Sequence, residues 1–269
     1  MRSKIKKYLP FFRTSVMNMF IYRGTIILWL LLDVFQFFMM VFLWMSVYEY
    51  NQSIQGFTLH EMLLYYLVTN LLYVFSDTEA MYIMSEEIRE GRISMMLIKP
   101  ISYKARLYSE VFGRVIGIFS LTLPIVTITA AVLLWAFNIP FAVTGLQVLL
   151  AVLFVPLIFM LMFEFAYFFG TISIHTTNVF GLAILMNVVI RIVSGQLIPL
   201  ALYPKAILTV ISHLPFKYIS YPTLVMLGKL STTDALQGLL ILAIWVGVFN
   251  LFSNLIFKLS LKKIVVFGG

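Results

Sequence analysis

The sequence contains no cysteine and only three histidines, and just 11% of its 269 residues are charged. The lack of cysteine excludes disulfide bonds, thiolate nucleophiles and thiolate metal sites. Soluble domains are about a quarter charged, whereas this chain is 62% hydrophobic with a mean hydropathy of +1.00. Low charge and abundant aromatic residues also exclude a disordered chain. The composition therefore predicts an integral membrane protein.

Sequence motifs of common catalytic sites are also missing. The chain has no Gly-x-x-x-x-Gly-Lys-Ser/Thr segment that would hold a nucleotide phosphate and no His-Glu-x-x-His zinc motif. His60, His175 and His213 are far apart along the chain, and Ser194 lacks the upstream glycine of a serine-hydrolase elbow. We therefore predict no catalytic residues, no metal site and no cofactor bound by this chain itself.

Six apolar stretches are long enough to cross a bilayer, which takes about 20 residues each. They are predicted at residues 24–47, 59–84, 111–137, 144–172, 179–202 and 235–259. Thr58 with Glu61 and Ser231 with Asp234 have the pattern of helix N-caps. The predicted fold is an all-α integral membrane protein with six transmembrane helices in one transmembrane domain, 1–269. Its parts are an interfacial helix (1–22), spans one and two (24–84), a cytoplasmic segment (85–110), spans three to five (111–202), an outer segment (203–230), and span six with a basic tail (231–269).

The lysines and arginines predict the orientation, because cytoplasmic loops carry more of them. With six spans, the two ends and residues 85–114 lie on one side and carry fifteen of the nineteen basic residues. Both termini are therefore predicted to be cytoplasmic. The net charge of +8 is attributed to anionic lipid rather than to nucleic acid.

The N-terminal residues 1–22 are basic and amphipathic. Apolar residues recur at spacings of three and four, at Ile5, Leu9, Phe12, Val16, Met19 and Phe20. This pattern predicts a helix lying in the membrane surface, with Pro10 kinking it or delaying its start. The alternative is a plain basic tail that only fixes topology.

The most informative segment is residues 86–103, which is the most charged part of the chain. Gly91 is suited to the left-handed cap that ends a charged helix, and Pro100 stops a short helix predicted over 94–98. That helix carries four apolar residues among charges: Met95, Met96, Leu97 and Ile98. We interpret it as a docking surface for a soluble partner, with Arg89, Arg92 and Lys99 pairing with carboxylates at the rim. The alternative is that the apolar residues lie on the bilayer.

Polar groups inside the predicted spans need partners or water, because an ionisable group at mid-membrane costs about 2.5–3.5 kcal/mol. Asp33, Glu164, Arg191 and Gln196 are such groups. An ion pair between Asp33 and Arg191 is one arrangement to expect. Contact with a substrate and a purely structural role in helix packing both stay open.

Two motifs resemble the ABC-2 type permease family. Glu90-Gly91-Arg92-Ile93, followed by residues 97–102, is similar to the cytoplasmic coupling segment of that family, except that Lys99 stands where arginine is common. Residues 194–200, continuing to Tyr203-Pro204 and Leu214-Pro215-Phe216, are similar to its outer re-entrant region. The resemblance covers nearly the whole chain.

The resemblance implies a permease subunit of an ATP-binding cassette transporter in the cell membrane. It implies pairing with a second permease, identical or related, and docking on a cytoplasmic ATPase dimer that binds ATP and Mg. The coupling residues would be Glu90, Gly91, Arg92, Met95, Met96, Leu97, Ile98, Lys99 and Pro100. Re-entrant helices in residues 203–230 would form an outer gate with Pro199, Pro204 and Pro215.

The transported compound is expected to be hydrophobic or amphipathic, such as a drug, a peptide or a lipid, and to be exported. The absence of a sizeable outer domain favours export. A substrate-binding membrane subunit of an uptake system is the alternative, and an intramembrane enzyme is a more distant one.

Overall fold

The regular structure of this chain is helical. The computed structural model describes residues 6–21, 23–76, 79–136, 142–176 and 179–262, in which the regular elements are α- and 3-10 helices. The α-helices are α1 (Leu9–Ile21), α2 (Arg23–Val47), α3 (Leu59–Tyr73), α4 (Glu79–Arg89), α5 (Arg92–Leu97), α6 (Tyr103–Ala136), α7 (Gly145–Thr171), α8 (Phe180–Val193), α9 (Lys205–Ser212), α10 (Tyr221–Met226) and α11 (Thr232–Leu261). Short 3-10 helices occupy Val74–Ser76, Ile172–Ile174, Leu200–Leu202 and Pro215–Ile219.

Four helices in the described residues are long and apolar enough to cross a membrane, namely α2, α6, α7 and α11. The prediction of an all-helical membrane protein is therefore confirmed, while the number of six spans stays a prediction. Residues 137–141, where the third predicted span ends, and the basic tail beyond residue 262 lie outside the described residues.

The stretch predicted as a continuous second span is interrupted. α3 ends at Tyr73 and runs into the 3-10 helix Val74–Ser76, and α4 then starts at Glu79. The new start has a physical reason, because an acidic residue in a first turn is stabilised by the helix dipole. Glu79 also lies 2.8 Å from the guanidinium of Arg114 on α6.

The fifth predicted span is also shorter than expected. α8 has 14 residues and ends at Val193. Two residues beyond its end, Gly195 has φ +77°. A left-handed glycine turns the chain out of the helix at no steric cost.

α7 is the central helix of the fold. Of its most apolar stretch, 44% is buried inside the protein, against 11% for each of α2, α6 and α11. Its neighbours are α4, α10 and α11, and its buried side chains include Phe154, Leu161, Met162 and Tyr167. The other three long helices, which are less buried, therefore leave most of their apolar surface to lipid or to another protein chain.

Among the described residues the N-terminal helix α1 runs from Leu9, which places Pro10 in its first turn. It packs along α6, where Gly113 and Gly117 lie on one face. A Cβ atom on Gly113 would be 2.4 Å from the carbonyl oxygen of Phe12. Part of the apolar face predicted to lie in the membrane surface is thus covered by a helix of the same chain, while Leu9 and Phe20 stay exposed.

Both helix starts predicted from the sequence are confirmed. The Thr58 hydroxyl accepts a hydrogen bond from the Glu61 amide, and the Glu61 carboxylate accepts one from the Thr58 amide. The Ser231 hydroxyl accepts a hydrogen bond from the Asp234 amide and starts α11. Such caps satisfy amide groups that a helix leaves free at its start.

Candidate functional site

The predicted coupling segment forms two short helices joined at Gly91. α4 ends at Arg89, and α5 runs over Arg92–Leu97. Gly91 has φ 71° and ψ 0°, so the left-handed conformation predicted for it is confirmed. This conformation changes the direction of the chain between α4 and α5, and a side chain at this position would disfavour it.

The four apolar residues of this segment do not share one surface. Met95 is 57%, Leu97 37% and Ile98 84% exposed, whereas Met96 is half-buried. Met96 packs against the core that α4, α6 and α7 form, where Ile93 is 2% exposed. Met96 therefore packs α5 against the core and is not part of its exposed face. We define the coupling face as Met95, Leu97 and Ile98.

The cationic residues of the segment also differ in their surroundings. Arg92 pairs with Glu90, and its guanidinium lies 3.7 Å from the carboxylate of Glu86. The hydrogen bond to Glu90 raises the pKa of Arg92 above its usual range. Arg89 and Lys99 are exposed, and among the described residues neither forms an ion pair. Of the three predicted cations, these two are available to carboxylates of a partner.

A buried ion-pair cluster connects α4 to α6 directly behind the coupling face. Glu87 and Arg106 are 3% and 2% exposed, and a carboxylate oxygen of Glu87 lies 2.7 Å from the guanidinium. The Tyr103 hydroxyl donates to the same carboxylate at 2.7 Å, and Arg106 also pairs with Glu110 at 2.7 Å. A buried pair with additional hydrogen bonds fixes the geometry of the elements it joins. The end of α4 is thereby held against the long helix α6.

The N-terminal helix region touches the far end of the coupling segment. The Ser102 amide donates to the Tyr8 hydroxyl at 3.0 Å, and the Lys7 ammonium donates to the Pro100 carbonyl at 3.3 Å. Together with the contact between Phe12 and Gly113, these bonds join α1 to both the segment and α6.

Glu164 lies in a second polar cluster, on α7. Its carboxylate is 2.6 Å from the Lys104 ammonium of α6 and accepts a hydrogen bond at 2.7 Å from the Asn250 amide of α11. Ser253 and Asn254 complete the cluster, and Lys104 donates to both at 3.0 and 3.1 Å. The charge of Glu164 is thus satisfied within the chain, and the cluster joins three of the four long helices.

Asp33 and Arg191 line a common cavity, but they do not form the ion pair that was expected. No ion pair between described residues joins them, and the guanidinium of Arg191 instead lies 4.8 Å from the ring centroid of Tyr73. The reason is the early end of α8, which leaves Arg191 close to the helix terminus rather than at mid-span. The expectation of a direct pair across the bundle was wrong.

The residues just after α8, and the outer segment, are hydrogen-bonded to α3. The Tyr65 hydroxyl donates to the backbone carbonyl of Gly195 at 2.6 Å, and the side-chain amide of Gln196 donates to the side-chain oxygen of Asn70 at 3.3 Å. The Thr69 hydroxyl donates to that of Thr223 at 3.0 Å. Gln196 is buried just after the end of α8 and is held against α3 by its bond to Asn70.

The three prolines assigned to the outer gate each start a short helix. Pro199 precedes Leu200–Leu202, Pro204 precedes α9, and Pro215 is the first residue of Pro215–Ile219. Pro199 and Pro215 are buried, while Pro204 is exposed. Proline suits a first helical position, since the amide it lacks would have no helical partner there.

Sequence reasoning missed Glu87, Tyr103, Lys104 and Arg106 as positioning residues. Two signals were present. Arg106 and Glu110 have the spacing of an ion pair on one helical face. Asn250, Ser253 and Asn254 repeat at three and four residues in an apolar span, which marks a polar stripe facing the protein interior.

Comparison with protein-family models finds one that matches residues 34–268, described as an ABC-2 family transporter protein. The match contains the coupling segment, both polar clusters and the outer segment. A search of curated proteins finds no matching sequence.

Proposed function

Since the chain belongs to the ABC-2 family of transporter proteins, and is therefore a multi-pass permease of the ATP-binding cassette type, we propose that it exports a hydrophobic or amphipathic compound. The chain is proposed to lie in the cell membrane, which it would cross six times with both termini in the cytoplasm. The energy would come from a separate cytoplasmic ATPase dimer, which binds ATP and Mg. A second permease, identical or related, would complete the transporter. No enzymatic activity is proposed for this chain.

The observation that carries this proposal is the exposed coupling face together with the buried ion pair that holds the neighbouring helix in place. Exposed apolar side chains on a cytoplasmic helix are costly unless another protein covers them. Met95, Leu97 and Ile98 provide such a surface, with Arg89 and Lys99 beside it for the partner's carboxylates. Behind it, the pair of Glu87 and Arg106 fixes α4 to α6. The proposed coupling residues 90–100 thus divide into those that contact the ATPase and those, such as Met96, that hold α5.

The coupling face predicts the effect of a single charge. We expect Ile98→Asp to weaken ATPase co-purification by tenfold or more, because an anchor at the centre of an interface contributes 2 kcal/mol or more, which is about thirtyfold in affinity. Ile98 is 84% exposed, so the change leaves the protein interior intact. The measurement is quantitative pull-down of the ATPase with the tagged permease.

A matched control uses the same substitution on the opposite predicted side. Tyr50 is 88% exposed in the loop between α2 and α3, and Tyr50→Asp should leave the amount of ATPase unchanged. Equal recovery of the ATPase with Ile98→Asp and with the control would refute the assignment of the coupling face.

The direction of transport follows from the same assembly. In inside-out membrane vesicles, ATP added to the outside should drive fluorescent amphipathic dyes into the lumen, because the cytoplasmic face is then outward. ADP in place of ATP is the control. ATP-driven loss of dye from preloaded vesicles would instead indicate uptake by the cell.

A further inference from the structure

A cavity of about 170 Å³ lies between α2, α3, α6 and α8, at the depth of the membrane-spanning helices. Its lining includes Asp33 from α2, Asn70 and Tyr73 from α3, Thr122 from α6, and Arg191 from α8. It is distinct from the polar cluster around Glu164, which the described residues satisfy internally.

Two charges of opposite sign face this cavity without pairing. Among the described residues, neither Asp33 nor Arg191 takes part in an ion pair, although ion pairs satisfy Glu87, Lys104 and Glu164. An ionisable group in a membrane span needs a partner or water. Arg191 is half-buried against the ring of Tyr73, which positions it but does not neutralise it.

Several neutral polar groups of the lining are already engaged within the protein. The Asn70 amide donates to the Tyr66 carbonyl at 2.9 Å, and its oxygen accepts from Gln196. The hydroxyls of Thr122 and Thr129 donate to carbonyls of their own helix. The two charged side chains are therefore the groups that a ligand would contact most strongly.

The size of the cavity restricts what fits inside it. A cavity of about 150 Å³ accommodates a molecule the size of benzene, whereas sites for whole drug-sized ligands occupy about 300–1,000 Å³. The space is thus sufficient for a small head group but not for a complete amphiphile. Asp33 is exposed on α2, and its neighbours Leu31 and Leu32 are exposed as well, so an apolar chain would continue along that helix.

We propose that this cavity binds the head group of a transported zwitterionic amphiphile, whose ammonium group contacts Asp33 and whose anionic group contacts Arg191. The apolar tail lies along the exposed face of α2. This inference rests on the proposed export function and names the class of its substrate.

The test compares three single-chain probes built on twelve-carbon chains: zwitterionic dodecyl-dimethylglycine, cationic dodecyltrimethylammonium and anionic dodecanoate. Each is radiolabelled and equilibrated, below its micelle concentration, with the complete complex in lipid nanodiscs. We expect the zwitterion to bind at least tenfold more tightly than either singly charged probe, since truncating one partner of a buried charge contact typically costs more than this.

Two variants should change the ranking in opposite directions. In Asp33→Asn, dodecanoate should bind as tightly as the zwitterion, and in Arg191→Gln the cationic probe should do so. Lys258→Gln removes an exposed charge at the end of α11 and should keep the wild-type ranking. Equal binding of all three probes to the wild type, or an unchanged ranking in both cavity variants, would overturn the proposal.

ATPase recovery from the same preparations separates this inference from the function it rests on. If the ATPase co-purifies but the probes bind alike, the substrate class is wrong and the permease function stands. If no ATPase co-purifies with the wild type, the proposed function fails regardless of probe binding. ATPase retained on Asp33→Asn and Arg191→Gln shows that these variants are folded.

Discussion

Arg106→Gln is expected to destabilise the folded chain by about 3–5 kcal/mol, because it leaves a buried carboxylate without its cation. Arg106 is 2% exposed and lies 2.7 Å from both Glu87 and Glu110. The substitution also frees α4 from α6, so the coupling face loses its fixed position. Thermal unfolding of the purified protein in nanodiscs measures the first effect, and ATPase pull-down measures the second.

The same substitution at Arg92 is the matched control. Arg92 pairs with Glu90 and Glu86 at the surface, where an ion pair contributes about 0–1 kcal/mol. Arg92→Gln should therefore shift the unfolding temperature little. Adding Glu87→Gln to Arg106→Gln should recover part of the loss, since the uncompensated charge is removed. Similar destabilisation by Arg92→Gln and Arg106→Gln would contradict the role assigned to the buried pair.

Gly113→Ala is expected to cost about 2–3 kcal/mol and to release α1 from α6. The added Cβ would be 2.4 Å from the backbone carbonyl oxygen of Phe12 and 3.1 Å from its Cα. Backbone atoms cannot rotate away, so the whole helix has to shift. Hydrogen exchange of the amides of α1 should increase in the variant, and the bonds from Lys7 and Tyr8 to the coupling segment should be lost with it.

Substitutions at two other glycines serve as comparisons for this loss of stability. Gly117→Ala would place its Cβ 2.7 Å from Cγ of Met19, a flexible side chain that can move, so a smaller loss is expected. Gly247 in α11 has nothing within 4 Å of such an atom, and alanine favours a helix by about 0.5–1 kcal/mol over glycine. Gly247→Ala should therefore be neutral or slightly stabilising. The account of α1 packing would be wrong if Gly113→Ala behaved like Gly247→Ala.

Local signals in the sequence were sufficient for the helix starts and the sharp turns. The caps at Thr58 and Ser231, and the left-handed turn at Gly91, depend on a few neighbouring residues and were predicted correctly. The all-helical membrane class follows from composition alone. Such features need no knowledge of distant parts of the chain.

The boundaries of the spans were harder to predict. A hydropathy pattern ends a predicted span at the first charged residues, whereas the folded helix continues through them when their charges are paired. α6 was expected to start near Val111, but it starts at Tyr103. Lys104 and Arg106 lie inside it because Glu164 and Glu87 satisfy their charges. Both partners are distant in sequence, so no local pattern identifies them.

For the predicted coupling segment, the sequence indicated a short helix with apolar residues but not which of those residues are exposed. The coupling segment was recognised from its charges and apolar residues, yet Met96 was grouped with Met95 and Ile98. Which of them is exposed depends on the rotation of a six-residue helix against the core, and that rotation is set by buried Ile93. Likewise, Asp33 and Arg191 were expected to pair, whereas α8 ends too early to bring them together.

The central claim is that this chain transports without a motor of its own and is driven through the coupling face. The most direct test is purification of the tagged chain from its native membranes in mild detergent, followed by mass spectrometry of what accompanies it. We predict a soluble ATPase with a phosphate-binding loop in amounts equal to the permease. A chain that purifies without any ATPase and still moves solute or turns over a substrate alone would contradict the account.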